Sequence, residues 1–246
     1  MAKTGAPGTG PSAHGRWMVL DGSALKLLAV AAMFADHFAS VMLEDTYITL
    51  FRFGERTVDL YEMMRIIGRI SFPLFAFLLV EGFLHTRNVR RYAGDLLLFA
   101  LLSEIPWNLE HSGRYMYGGQ NVLFTLLFGL LGLWAIRDYQ GSGRKKAALL
   151  TGLLILSVVF RADFGCSGFG FILMLYLLRE QKLCRAVVGN CFLPSRWIAG
   201  IAFIPIGLYN GRRGFIGSKP LKYAFYLIYP VHLLVLYWIR RTTLGY

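Results

Sequence analysis

The sequence predicts an all-α, polytopic integral membrane protein, with about eight transmembrane helices in one bundle. Three observations predict it. The chain is 56% hydrophobic and only 16% charged, whereas a soluble domain carries roughly 25% charged residues. Its apolar residues fall in blocks long enough to cross a bilayer. The charges collect at the joints between those blocks.

In chain order, helix one is expected over Ala24 to Leu43, interrupted only by Lys26, Asp36, His37 and Ser40. Residues 44 to 65 alternate charged side chains with Tyr47, Leu50, Phe51, Phe53 and Tyr61, which suits an interfacial segment that does not cross. Helix two spans Ile66 to Leu84 and exits through HTRNVRR; helix three spans Tyr92 to Trp107. Helix four is Asn121 to Ile136, helix five Ala147 to Phe160 and helix six Phe169 to Leu178. The apolar stretch from Cys184 to Pro194 is about half the ~20 residues a crossing needs, so it reads as re-entrant or interfacial. Helix seven is Trp197 to Tyr209 and helix eight Leu221 to Ile239. Residues 1–19, rich in Gly, Pro and Ser at their start, read as a disordered tail ahead of a membrane domain over 20–246.

The net charge of +12 does not indicate a nucleic-acid partner, because the basic residues form short clusters between apolar blocks and no continuous stripe. Three cysteines, Cys166, Cys184 and Cys191, form no CxxC pair, which argues against a disulfide framework or zinc site and for reduced packing residues. With the N-terminus inside, alternation puts Arg87, Arg90, Arg91, Arg137, Arg144, Lys145 and Lys146 in the cytoplasm. It puts the YNGRRGFIGSK loop, with Arg212 and Arg213, outside. A crossing by Cys184 to Pro194 would bring that loop inside and send Arg240 and Arg241 out.

Ionisable side chains inside apolar spans cost several kcal/mol, so each one is a candidate site residue. Lys26, Met33, His37 and Ser40 share one stripe of helix one. Asp36 points about 100° away from His37, so the two need not pair. His37 fits either a helix–helix hydrogen bond or a general base, since imidazole titrates near neutral pH. Arg69 in helix two needs an anion or a carboxylate on another helix; Glu81 and His85 share a face at i,i+4. Glu104 lies near the end of helix three, and Gln120, Asn121 and Thr125 line one side of helix four, where they can orient a ligand or join helices. Asp163 can cap helix six. An aromatic belt explains Tyr226 and Tyr229, but not His232 inside the last span.

Taken in order, LLAVAAMFADH, IGRISFPLFAFLLVEGFLHTRN, SEIPWNL, QNVLFTLLFGL, RADFGCSG, LYNGRRG and FYLIYPVHLLVL resemble the TraX family of F-pilin acetylation proteins, over about Leu20 to Tyr237. The resemblance implies a multi-pass acetyltransferase of the bacterial inner membrane, related to the wider membrane acyltransferase-three group. Its donor would be acetyl-CoA, and its acceptor an amine or hydroxyl on a pilin-like protein or an envelope glycan. It implies His37 as the base at the acyl-transfer centre, with Asp36 beside it. Arg69 or Asn121 would stabilise the oxyanion. Phosphates would fall to Arg87, Arg90 and Arg91, or to Arg212 and Arg213 if their loop lies inside. The chemistry needs no metal. A transporter, with Asp36, His37, Arg69 and Glu81 as an ion path, and a non-catalytic assembly factor are the alternatives.

Overall fold

The computed structural model describes residues 18–44, 46, 48–54, 56–193 and 200–244. The expected tail, apart from residues 18–19, and the first residues of the expected helix at 197–209 lie outside them. Asp21 starts α1 (Gly22–Phe38) by accepting from the Ala24 N–H at 2.8 Å. The helix continues through a π-helical turn, Ala39–Leu43, just beyond Asp36 and His37. Two short antiparallel strands follow, β1 (Thr49–Phe53) and β2 (Arg56–Asp59), turning at Gly54 with φ +62°. This hairpin departs from the all-α expectation. It forms where β-branched and aromatic residues, Thr49, Phe51, Phe53, Thr57 and Val58, flank the turn at Gly54.

Helices α2 (Leu60–Gly68) and α3 (Ser71–His85) form one nearly continuous rod. It breaks at Arg69, four residues before Pro73, because proline has no N–H to bond the Arg69 carbonyl. Next come α4 (Val89–Ser112), capped by Asn88 and ended by Gly113 at φ +64°, and α5 (Val122–Asp138), capped by Asn121. The remaining helices are α6 (Gly143–Val159), α7 (Gly165–Leu177), α8 (Lys182–Phe192), the short α9 (Phe203–Gly207) and α10 (Lys219–Leu244).

Three stretches are long and apolar enough to cross a membrane: Gly22–Leu43, Leu60–His85 and Pro220–Thr243. Large apolar side chains also point outward on other helices, among them Leu98, Leu101 and Ile105 on α4 and Ile155 and Val159 on α6. Polar groups such as Ser103, Asn121, Thr125 and His232 are buried. Apolar outside with polar inside is the arrangement lipid selects. Close packing inside comes from small residues: a Cβ on Gly129 or Gly132 of α5 would run into Ile172 or Phe169 of α7. The three cysteines are free but exposed, so they are not packing residues.

Contacts define two ends of the bundle. At the basal end, Leu20 pairs with Tyr209, the Gly22 N–H donates to the Arg212 carbonyl at 2.7 Å, and Lys26 donates to the Ile216 carbonyl at 3.0 Å. Lys222 bonds Asp95 at 2.7 Å, and Arg137 reaches the Phe83 carbonyl at 3.5 Å. At the distal end, Gln120 N–H donates to the Arg161 carbonyl at 3.0 Å, and Phe72 stacks on Phe164 at 3.8 Å. The YNGRRG loop therefore sits with the start of α1 and with Arg91, not at the opposite end as alternation through eight crossings requires. The reason lies in α8 and residues 200–208. Phe192 reaches Gly170 and Gly189 meets Phe203, so α8 descends along α7 from the basal end. Gly200 faces Asn190, and the chain climbs back to Leu208 and Tyr209.

Candidate functional site

The site forms where α1, α4, α5 and α10 meet. His37 Nδ1 lies 2.6 Å from His232 Nε2, and the two rings stack with centroids 4.9 Å apart. His232 Nδ1 lies 2.8 Å from the Ile228 carbonyl, one turn back on α10. A carbonyl only accepts, so His232 carries its proton on Nδ1 and presents the Nε2 lone pair. That lone pair takes the Nδ1–H of His37 and leaves His37 Nε2 unprotonated. The carbonyl thus fixes both tautomers and readies His37 to receive a proton. Phe34 meets the His232 ring edge to face at 4.8 Å, and Tyr229 packs against both histidines.

A cavity of about 410 Å³ runs inward from the basal end, within the range of small-molecule clefts. Its mouth carries Lys26, His85, Arg91, Arg213 and Lys222 with one carboxylate, Glu81, set against His85, and its body is apolar, with Leu78, Leu79, Leu126 and Phe225 among its walls. Lys222 is held by Asp95 amid Tyr92, Tyr223 and Tyr226. Arg91 and Arg213 are the arginines of the mouth. The cavity's inner walls include Met33, Val122 and Tyr229, with His37 one turn beyond Met33.

On the distal side, Trp107, His111, Tyr117, Gln120, Arg161 and Asp163 line a recess of about 500 Å³. The Trp107 and His111 rings lie 3.5 Å apart, and Arg161 adopts φ +52°. Asp163 opens to the recess but is otherwise crowded by protein, which pushes its carboxyl up to about 6. It does not cap α7, whose N-cap, Phe164, has no side-chain bond.

The structure redistributes the residues that the sequence singles out. Asp36 does not pair with His37: it bonds Arg65 at 2.9 Å and fills the space left by Gly68, where a Cβ would overlap it. Arg69 is exposed and acts on Asp36 and Asp163 at the distal side, away from the cavity. Asn121, 0% exposed, spends its amide on the Ala100 carbonyl and Glu104 and its oxygen on the Leu123 N–H. Of the arginines assigned to phosphates, Arg91 and Arg213 line the cavity, while Arg87, Arg90 and Arg212 are exposed outside it. Glu81 and His85 share a face as expected, 3.7 Å apart. The sequence leaves His232 unexplained and passes over Arg65 and the role of Tyr229. The i,i+3 spacing of Tyr229 and His232 was their one local signal. Among the described residues, no group of three or more His, Cys, Asp or Glu is placed to hold a metal ion.

The chain is 32% identical over 243 residues to the probable fimbrial assembly protein FimC, serogroup H1, of Dichelobacter nodosus, covering 86% of this chain and 92% of that protein. No solved structure matches it. The TraX protein family matches residues 21–240, which take in the histidine pair, the cavity and the distal recess alike, and the chain belongs to that family.

Proposed function

We propose that the protein is an acetyl-CoA-dependent acetyltransferase of the bacterial inner membrane, serving a pilus or another envelope polymer. One observation carries this reading: an apolar cavity with a basic mouth ends one helical turn from a histidine whose tautomer leaves it a free base. Arg91 and Arg213 suit phosphates at the mouth, the apolar body suits the acyl-bearing arm, and His37 takes the proton from the acceptor amine or hydroxyl. The acceptor approaches from the distal recess.

The sidedness follows the same logic. The expected eight crossings become seven, made by α1, the α2–α3 rod, α4, α5, α6, α7 and α10. Helix α8 and residues 200–208 form a re-entrant pair that enters and leaves at the basal end. That end gathers the larger share of the basic residues, including HTRNVRR, GRKK and GRR, and it faces the cytoplasm. Charged coenzyme reaches the mouth there without entering lipid.

The name of the Dichelobacter relative favours a second reading, an assembly factor without catalysis. Mass spectrometry of pilins and envelope glycans from cells with and without the gene separates the two. An acetyl group lost with the gene, and not restored by His37→Ala, supports transfer. Acetylation identical in all three strains sinks it.

A further inference from the structure

Acyl transfer from a thioester needs two donors aimed at the carbonyl oxygen, where negative charge develops. Neither residue assigned to that task by sequence is available: Asn121 is committed to Glu104, Ala100 and its own helix, and Arg69 lies on the distal surface. The inner end of the basal cavity offers another pair. Tyr229 is 6% exposed, its hydroxyl has no hydrogen-bond partner, and it lines the cavity while its ring touches His37 and His232. A buried hydroxyl left unpaired forfeits its solvation, so its position asks for a ligand. Beside it, Val122 is the first residue of α5, a helix of 17 residues. Its N–H has no carbonyl four residues back within the helix, carries the positive end of the helix dipole, and is directed at the Tyr229 oxygen without meeting it in full hydrogen-bond geometry, so both groups keep a donor for a ligand. Val122 lines the same cavity.

We infer that the Tyr229 hydroxyl and the Val122 N–H form the oxyanion hole for an acyl thioester whose carbonyl lies at the inner end of the cavity. This rests on the acetyltransferase reading. His37 Nε2 takes the proton of the acceptor amine or hydroxyl as its heteroatom bonds to the carbonyl carbon. The C=O π pair moves to the oxygen, which accepts from Tyr229 and Val122. The carbonyl then re-forms, the C–S bond breaks, and the thiolate receives the proton from the His37 imidazolium. Tyr229 lines the donor cavity and packs against the histidine pair, so a carbonyl oxygen bound by its hydroxyl lies at the side of the cavity nearest the base.

Two substitutions remove one donor each with little disturbance. Tyr229→Phe keeps the ring contacts. Val122→Pro deletes a single N–H at the first helical position, where proline is tolerated, and Asn121 already has the extended backbone that precedes a proline, at φ −64° and ψ 164°. The assay uses full-length protein in lipid nanodiscs with acetyl-CoA and hydroxylamine as a small probe acceptor, the uncatalysed rate being subtracted. Each variant should lose about 10²–10³-fold in kcat with KM for acetyl-CoA within twofold. Infrared spectra of bound, carbonyl-labelled acetyl-CoA provide a reading independent of turnover. The stretch should move to lower frequency in the wild type and return towards its solution value in both variants. Full turnover in both variants, or a bound carbonyl with no shift in the wild type, removes the oxyanion hole and leaves the acetyltransferase reading standing. A wild type that neither binds acetyl-CoA nor releases thiol removes that reading, and the inference with it.

Discussion

His37 and His232 are 195 residues apart in the chain and 2.6 Å apart in the fold. Neither is a convincing base alone. Joined through Nδ1 and Nε2, with Ile228 fixing the outer proton, they leave one defined lone pair on His37 Nε2. His37→Ala should lower acetyl-CoA-dependent thiol release about 10²–10⁴-fold. His232→Phe keeps the ring against Phe34 but frees the His37 tautomer, and should lower release about 10–100-fold, as loss of an orienting partner does. Equal and small losses in both variants would show that the pair only joins α1 to α10.

Asn121 belongs to the scaffold. Its side chain caps α5 and meets the Glu104 carboxylate, and its backbone N–H also donates to Glu104 at 3.2 Å. Asn121→Ala should cost about 1 kcal/mol for the cap and more for the partner left short of a donor. The unfolding temperature in detergent should fall while KM for acetyl-CoA stays constant. A raised KM with unchanged unfolding would instead put Asn121 against the donor.

The cavity mouth divides the arginines into two groups. Arg91→Ala and Arg213→Ala should each raise KM for acetyl-CoA roughly tenfold or more, the worth of a charge-assisted hydrogen bond of ~1.5–3 kcal/mol. The effect should weaken with salt. Arg87→Ala, Arg90→Ala and Arg212→Ala, whose side chains lie outside the cavity, should leave KM within about twofold. A uniform rise across all five would mean that the whole basal surface, and not the mouth, binds the coenzyme.

The contacts of Gly22 with Arg212 and of Lys26 with Ile216 tie the GRRG loop to the start of α1. With the three native cysteines replaced, Ser218→Cys and Arg87→Cys should behave alike towards a membrane-impermeant maleimide. Both should label only after the membrane is opened. Labelling of Ser218→Cys alone in intact cells would dismantle the re-entrant pair and restore an eighth crossing.

Features that depend on local composition could be read from the chain alone. Apolar blocks bounded by charge favour membrane helices, so α1, the α2–α3 rod from Ile66 onward and α10 were legible, as was the cost that makes His37 a candidate, though the start of the rod at Leu60 was not. The i,i+4 face shared by Glu81 and His85 was legible for the same reason, because helical geometry alone brings them together. Tertiary structure decided whatever needed a partner from elsewhere in the chain. Asp36 was visible, but not its pairing with Arg65 in the space that Gly68 leaves. His232 was visible, but not that it would meet His37. Hydropathy scored residues 184–209 as one short segment and one crossing, because it reads length and not direction. Only the packing of Phe192 on Gly170 and of Phe203 on Gly189 brought α8 and residues 200–209 to one side of α7 and Arg213 to the mouth of the cavity.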